Sequence, residues 1–241
     1  MRTRFAPAPT GFLHLGHVVN AMVTWRVAQQ TSGQVVLRIE DHDRQRCRPE
    51  FEAALLDDLE ALGFSSDEPT IASLRTGEPS DHRQSDCGAT YAAAVMRLDG
   101  LGLIYACDCS RATFAAWEDT VLGPRSGAVA PRGDLPVRDR MGNWTYGLCV
   151  VVDDLRHGID LVIRGEDLLE ATPAQLRLGR LLGRAVAPQF LHHPLVRRPD
   201  GPKLSKADGA TAVRELLARG ADPAAVIAQA WRAIGLTNPS P

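Results

Sequence analysis

Short runs of β-branched and apolar residues alternate along this chain with longer amphipathic segments, and this alternation limits the folds open to it. The clearest run is Gln34–Ile39, which is followed at once by acidic residues at positions 40, 41 and 43. Arg2–Ala6 and Leu161–Arg164 are two further candidate strands. Strands that alternate with helices predict right-handed βαβ units, a parallel sheet and therefore an α/β fold.

Other segments complete the predicted organisation. The continuous apolar run Tyr146–Val152 is typical of a strand buried on both faces of a parallel sheet. Periodicity fades between about Asp108 and Asp139, where glycine and proline accumulate. We therefore predict two halves of one α/β domain at 1–104 and 141–208, an inserted loop-rich subdomain at 105–140 and a helical segment at 209–241. The predicted helices are His14–Ser32, Pro49–Leu62, Tyr91–Leu103 and Pro173–Leu182, the last with Thr172 as its N-cap.

Composition excludes several classes of protein. With 44% hydrophobic and 23% charged residues, the chain resembles soluble globular proteins. No apolar stretch approaches the roughly 18 to 20 residues that would span a bilayer. The five cysteines are odd in number and mostly scattered, which favours a reducing compartment, so we expect a cytoplasmic protein. Because the net charge is -2, a contact with nucleic acid would need a local basic patch.

The lysines are unusually placed. Of 27 basic residues only Lys203 and Lys206 are lysines, and all the others are arginines. A lysine is a compact charge on a flexible stem and can follow a phosphate as it moves, whereas the planar arginine prefers a fixed bidentate partner. This pair is therefore a candidate phosphate-binding element.

His14-Leu15-Gly16-His17 opens a predicted helix directly after a proline-rich turn. A helix N-terminus offers N–H groups and partial positive charge to anions. Two imidazoles about one turn apart can add hydrogen bonds to phosphate oxygens, and Gly16 leaves room for a flat purine ring. The alternative is a pair of surface histidines with an incidental glycine.

Five motifs occur in order along nearly the whole chain. They are Arg4–Gly11, His14–His17, Arg38–Asp43, Val162–Asp167 and Lys203–Lys206. In this order and spacing they resemble the glutamyl-tRNA synthetase family. The resemblance implies a Rossmann-like, parallel-sheet catalytic domain of the class I aminoacyl-tRNA synthetases, with a small inserted subdomain.

Within that family the chain is most similar to stand-alone members that lack an anticodon-binding domain, since only 35 residues follow Lys206. This resemblance implies that ATP, with Mg²⁺, activates L-glutamate to glutamyl-adenylate without tRNA present. Glutamate would then pass to the queuosine base of tRNA(Asp). The expected partners are glutamate and this tRNA, with no membrane, and the protein is expected to be a monomer.

The resemblance also implies roles for single residues. Arg4 and Arg164 would bind the two carboxylates of glutamate, and Glu40 would bind its ammonium group. A structural ion pair of either arginine with Glu40 or Asp41 is the alternative. The remaining implied contacts are Phe5, Ala6, Pro7, Ala8 and Tyr146 for glutamate, His14, Gly16, His17 and Lys206 for ATP, and His14, His17, Lys203 and Lys206 for catalysis.

The chain departs from the family pattern in two respects. Cys107 and Cys109 resemble half of a zinc site, but residues 110–145 contain neither the tyrosine nor the third cysteine that would complete it. Cys87 or a histidine such as His82 could complete such a site, but we predict no bound metal of the protein's own. Ala8 stands where serine is frequent in the family, and Gly147 and Cys149 alter the segment after Tyr146. The sequence therefore does not predict the shape of the pocket.

Two other functions are compatible with these residues. One is a ligase that makes glutamyl-adenylate but delivers glutamate to a small amine or a carrier protein. The other is a non-catalytic module that binds nucleotide or tRNA. Charging of queuosine-containing tRNA(Asp) separates the first from the family activity, and glutamate-dependent ATP–pyrophosphate exchange separates the second.

Overall fold

The computed structural model describes residues 1–106, 135–139, 141–197 and 211–235. The chain divides into two compact units. Unit 1 comprises Met1–Asp86, Ile159–Leu169 and Gln189–Pro241, and unit 2 comprises Cys87–Gly158 and Glu170–Pro188. The domain boundaries predicted from the sequence remain a prediction, since most of residues 105–140 lies outside the described part.

Unit 1 contains a four-stranded parallel sheet, which confirms the predicted α/β class. Its strands are β1 (Arg2–Phe5), β2 (Gln34–Leu37), β3 (Leu161–Gly165) and β4 (Gln189–His193), in the order β2-β1-β3-β4. The strand β4 was not predicted, because its two adjacent histidines interrupt the apolar pattern that marks the other strands.

Helices occur in both units of the chain. In chain order, the described residues form α1 (Leu15–Gln30), α2 (Pro49–Ala61), α3 (Ile71–Arg75), α4 (Gly88–Gly100), α5 (Tyr146–Arg156), α6 (Thr172–Leu181), α7 (Val213–Ala218) and α8 (Pro223–Ala233), with 3-10 turns at Gln84–Cys87 and Glu166–Ala171. The last two helices confirm the predicted helical C-terminal segment. No helix among the described residues is long and apolar enough to cross a membrane.

One face of the sheet forms the core of unit 1. Phe5, Leu37 and Ile163 are almost completely buried there among side chains of α1 and α8. Phe5 packs edge-on against Trp25 of α1, with ring centroids 5.4 Å apart. Because side chains alternate along a strand, the residues between these positions point to the opposite face.

Tyr146–Val152 is a helix, so the predicted strand is wrong. The segment forms most of α5, and residues 148–154 are buried all round. A short apolar run does not distinguish a strand from a helix surrounded by protein, because periodicity is lost in both. In this case the run continues into Asp153, which forms an ion pair with Arg156 at 3.1 Å. Residues three apart are neighbours on the surface of a helix.

Polar groups inside unit 2 tie α5 to α4. The Tyr91 hydroxyl donates a hydrogen bond to Asp153 at 2.9 Å, and both side chains are fully buried. Burial, followed by the neighbouring Asp153 carboxylate, raises the pKa of Tyr91 far above its ordinary value. Tyr91 therefore stays a neutral donor.

In α6 the N-cap is Ala171 rather than the predicted Thr172, which is the first helical residue.

Asp58 is a buried acid of α2 whose charge costs stability. It is 3% exposed, and no described residue forms a hydrogen bond with its Oδ2. Burial raises the pKa of Asp58 from 3.8 to about 6, although Arg214 of α7 opposes the shift. Since the folded protein holds the proton more tightly, this group contributes stability below pH ~4 that is lost as the pH rises through ~6.

Replacing Asp58 by asparagine should therefore stabilise the protein at neutral pH. Relative to the wild type, we expect a free energy of unfolding about 1 to 3 kcal/mol higher at pH 8, with little difference near pH 4. Urea denaturation at both pH values measures it, with Asp99→Asn, at an exposed position of α4, as control. A pH-independent difference would show that Arg214 satisfies the Asp58 charge.

Candidate active site

Strand alternation brings three predicted glutamate-binding residues to one face of the sheet. Arg4 is paired with Val36 of β2, and Thr3 of β1 with Leu161 of β3. Counting along each strand places Arg4, Arg164 and, just beyond β2, Glu40 on the face opposite the core. All three are buried, with exposures of 3%, 3% and 6%.

Both guanidinium groups make contacts that orient them. Arg4 Nη1 donates to the carbonyl oxygen of Ile163 on β3 at 2.9 Å, so it reaches from β1 to the residue before Arg164. Arg164 Nη2 donates to the carbonyl oxygen of Leu168 at 3.0 Å, and its guanidinium lies 4.9 Å from the centre of the Phe190 ring. The two cationic groups are therefore held near the C-terminal end of β3.

Glu40 forms a buried ion pair that the sequence interpretation missed. Arg38 Nη2 donates to Glu40 Oε1 at 3.0 Å, and Arg38 is fully buried. Asp41 is paired with Arg44 at 3.1 Å and accepts a hydrogen bond from the Ser85 N–H at 2.8 Å. Glu40 and Asp41 thus each have an arginine partner that the sequence interpretation did not name, and the alternative ion pair with Arg4 or Arg164 stays a prediction.

The segment after β1 follows the same alternation. The hydrogen bonding between β1 and β2 continues beyond the ends of both strands, because the Glu40 N–H donates to the Pro7 carbonyl at 3.1 Å. The Phe5 ring belongs to the core, so only its backbone is available on the site face. Ala6 and Ala8 are partly exposed and alternate with the buried Phe5 and Pro7.

The two histidines of α1 cap their own helix. His14 is the N-cap, and its Nδ1 accepts a hydrogen bond from the Gly16 N–H at 3.0 Å. His17 Nδ1 accepts from the His14 N–H at 3.1 Å. A ring nitrogen that accepts carries no proton, so each neutral imidazole bears its hydrogen on Nε2. The capping arrangement therefore makes Nε2 of both rings a donor.

The structure gives a second reason for a glycine at position 16, besides the predicted room for a purine. A Cβ at this position would lie 2.9 Å from His14 Cε1, closer than real Cβ contacts come. Any larger residue would therefore displace the imidazole that caps the helix.

A cavity of about 180 Å³ opens at this helix terminus within unit 1. It brings together the predicted ATP-binding residues of α1 and the ends of β3 and β4. Of the residues that line it, Asp167 carries the carboxylate. The lining residues are His14, Gly16, His17, Val19, Asn20, Gly165, Asp167, His193, Pro194, Leu195 and Val196.

The remaining predicted site residues lie outside the described part of the chain or in unit 2. Lys203, Lys206, Cys107 and Cys109 are outside the described residues, and within the described ones no three His, Cys, Asp or Glu side chains are grouped as a metal site would need. Tyr146 begins α5 in unit 2, and its role stays a prediction. In that unit Cys149 is a core residue, and a Cβ on Gly147 would lie 2.8 Å from Leu135.

Four residues near the site were not singled out from the sequence. Arg38 and Asp167 stand inside quoted motifs, and their partners could not be known without the fold. Asn20 lies one turn beyond His17, a spacing that helical periodicity would have revealed. His192 belongs to the strand β4, which was not predicted.

The sequence matches a family model described as "tRNA synthetases class I (E and Q), catalytic domain" over residues 1–120 and 111–240. A protein of Xanthomonas axonopodis pv. citri named Glutamyl-Q tRNA(Asp) synthetase is 37% identical, over 96% of this chain and 82% of its own length. A protein of the same name from Rhodobacter capsulatus is 36% identical, over 93% of this chain and 97% of its own.

A solved structure agrees with this similarity. The glutamate tRNA ligase of Elizabethkingia meningosepticum, crystallised with its amino acid, superposes with a TM-score of 0.66 at 27% identity over 87% of this chain. This chain spans about half of that protein, 52% of its length. By sequence and by fold, the chain belongs to the class I aminoacyl-tRNA synthetases for glutamate and glutamine and carries their catalytic domain.

Proposed function

We propose that this enzyme activates L-glutamate with ATP to glutamyl-adenylate, without tRNA, and then transfers glutamate to the queuosine base of tRNA(Asp). One observation carries the proposal. Arg4, Glu40 and Arg164 share one face of the sheet, in the same unit as a helix whose N-terminus is capped by two imidazoles. The relatives named Glutamyl-Q tRNA(Asp) synthetase support the choice of acceptor.

The buried charges match the charges of the amino acid. Glutamate carries two carboxylates, which Arg4 and Arg164 would bind, and one ammonium, which Glu40 would accept. A guanidinium meets a carboxylate through two parallel N–H···O bonds. The amide of glutamine would turn an NH2 group toward the guanidinium and leave donors facing donors, so glutamine is disfavoured.

The cavity at α1 suits the triphosphate of ATP. The positive end of the helix attracts phosphate oxygens. His14 and His17 would add one Nε2–H donor each, in an orientation fixed by the capping bonds through Nδ1. Lys203 and Lys206 would contribute ammonium groups to the same phosphates.

The reaction needs no nucleophile from the protein. An oxygen of the glutamate α-carboxylate forms a bond to the α-phosphorus, and the bond from that phosphorus to the β-phosphate oxygen breaks, releasing pyrophosphate. Positioning and charge stabilisation supply the catalysis. In the second step a hydroxyl of queuosine attacks the activated carbonyl, AMP leaves with the electron pair of the cleaved bond, and the hydroxyl proton passes to water.

Magnesium would accompany the nucleotide. Mg²⁺ prefers phosphate and carboxylate oxygens, and the described residues that line the cavity offer the carboxylate of Asp167 with imidazole and amide groups. These residues fit an ion that is held mostly by the phosphates. The positive charge of the ion would favour the departure of pyrophosphate. A zinc site at Cys107 and Cys109 forms no part of the proposal.

Two assays test the function in turn. Exchange of labelled pyrophosphate into ATP, measured across the twenty amino acids with Mg²⁺, should require glutamate and no tRNA. Labelled glutamate should then be transferred to tRNA(Asp) that contains queuosine and not to the same tRNA without it. Absence of exchange would refute activation. Exchange without tRNA labelling would indicate an adenylate-forming ligase with another acceptor. A monomeric, cytoplasmic enzyme remains part of the proposal.

Gly16→Ala should damage activity without damaging the fold. The added methyl group pushes His14 from its capping position, while alanine is a better helix former than glycine. We expect the exchange rate to fall by on the order of tenfold or more, since small displacements of phosphate ligands are costly. Gly100→Ala is the matched control, because a Cβ there meets nothing within 4 Å. Equal exchange rates in both variants would contradict the prediction.

A further inference from the structure

The register between β3 and β4 places His192 directly beside Arg164. Paired residues of parallel strands point to the same face, and Arg164 Nε lies 3.3 Å from His192 Nε2. A guanidinium can only donate hydrogen bonds, so Nε2 of the histidine must be the acceptor. The imidazole is therefore neutral, with its hydrogen on Nδ1.

Phe190 extends this contact into a platform of two rings. Phe190 and His192 are two residues apart on β4 and share its site face. Their rings are parallel within 7°, with centroids 6.0 Å apart, and the Arg164 guanidinium lies 4.9 Å from the Phe190 centroid. The Leu168 carbonyl accepts from Nη2 at 3.0 Å. An aromatic ring, an imidazole nitrogen and a carbonyl thus fix the direction of the guanidinium group.

The surroundings favour the form of His192 that this contact needs. Burial lowers the pKa of His192, and the charge of Arg164 and the neighbouring His193 lower it further. The imidazole therefore keeps a lone pair for Arg164 at neutral pH. A protonated ring would offer no acceptor and would repel the guanidinium.

We propose that His192 is a positioning residue for glutamate: it turns the guanidinium of Arg164 toward a carboxylate of the amino acid. The proposal rests on the proposed function, in which Arg164 binds that carboxylate. His192 touches neither glutamate nor ATP in this role. Its loss should therefore weaken binding of glutamate and leave the use of ATP intact.

Two amide variants give a matched test. In His192→Gln the side-chain oxygen can occupy the place of Nε2, whereas in His192→Asn it reaches only as far as Nδ1. We expect the KM for glutamate in pyrophosphate exchange to stay within about threefold of the wild type in His192→Gln. In His192→Asn it should rise by about tenfold, with the KM for ATP and kcat within about twofold in both, since a tenfold change is ~1.4 kcal/mol.

Controls separate this proposal from the proposed function. His157→Gln replaces a histidine of unit 2 in the same way and should change no kinetic constant. Equal glutamate KM values for the two amide variants would overturn the positioning role, as would a rise in both KM values together. A wild-type protein that exchanges no pyrophosphate with glutamate would refute the proposed function itself. Thermal denaturation of each variant establishes that it is folded.

Discussion

Lys206→Ala should lower the rate of glutamate-dependent pyrophosphate exchange by about two to three orders of magnitude and leave the KM for glutamate nearly unchanged. Negative charge grows on the pyrophosphate as its bond to the α-phosphorus breaks, so a cation that follows it acts mainly on the transition state. Removal of one such preorganised group commonly costs a factor of ~100 to 1,000 in kcat. Steady-state exchange at varied ATP and glutamate measures it.

Two further variants give this prediction its controls. Lys206→Arg keeps the charge but replaces a flexible ammonium by a rigid planar group, and we expect an activity between those of Lys206→Ala and the wild type. Arg197 is a cation close to Lys206 in the sequence, and it forms an exposed ion pair with Glu166 at 3.3 Å. Arg197→Ala should leave the exchange rate nearly unchanged. An exchange rate of Lys206→Ala within twofold of the wild type would remove lysine from the mechanism.

The regular part of the fold follows from the sequence because local pattern and tertiary burial agree there. The strands β1, β2 and β3 carry apolar residues on the core face, and α1 and α2 lie close to their predicted bounds. The pattern fails where burial is complete. Residues 148–154 are apolar or internally paired all round, so neither helical nor strand periodicity remains to be read.

The site was predictable as a set of residue types but not as a set of contacts. Two arginines and one acid at strand ends indicate a ligand such as glutamate, and strand alternation together with the pairing of the strands assigns them to one face. The pairing of Arg38 with Glu40 and the contact of His192 with Arg164 depend on side-chain conformation and on a strand that was not predicted. Contacts of this kind, between a ligand-binding side chain and its neighbour, carry no signal of their own in a single sequence.

The contacts of His14 and His17 were likewise not predictable from the sequence. Sequence assigned His14 and His17 to phosphate, which concerns their Nε2 atoms. The structure adds that both Nδ1 atoms cap α1. One pair of side chains thus stabilises the helix end and fixes its own tautomer, so substitution of either histidine should affect helix and chemistry together.

Arg4→Met and Arg164→Met should each raise the KM for glutamate on the order of 100-fold, with a much smaller effect on the KM for ATP. Each loses a bidentate, charge-assisted contact, while the methionine stem retains part of the buried packing. Arg2→Met is the matched control. Arg2 lies on the same strand and the same face as Arg4, but at its other end, where its guanidinium pairs with Glu68. Its KM values should be those of the wild type.

The ratio of glutamate to glutamine activation then assigns each arginine to a carboxylate. The α-carboxylate is common to both amino acids, so loss of its arginine weakens both equally and preserves the ratio. The γ-carboxylate exists only in glutamate, so loss of its arginine should bring the kcat/KM values for the two amino acids together. We therefore expect one variant to keep the preference and the other to lose most of it. Should glutamate and ATP KM values instead rise in parallel in both variants, these arginines would support the fold of the site rather than bind the amino acid.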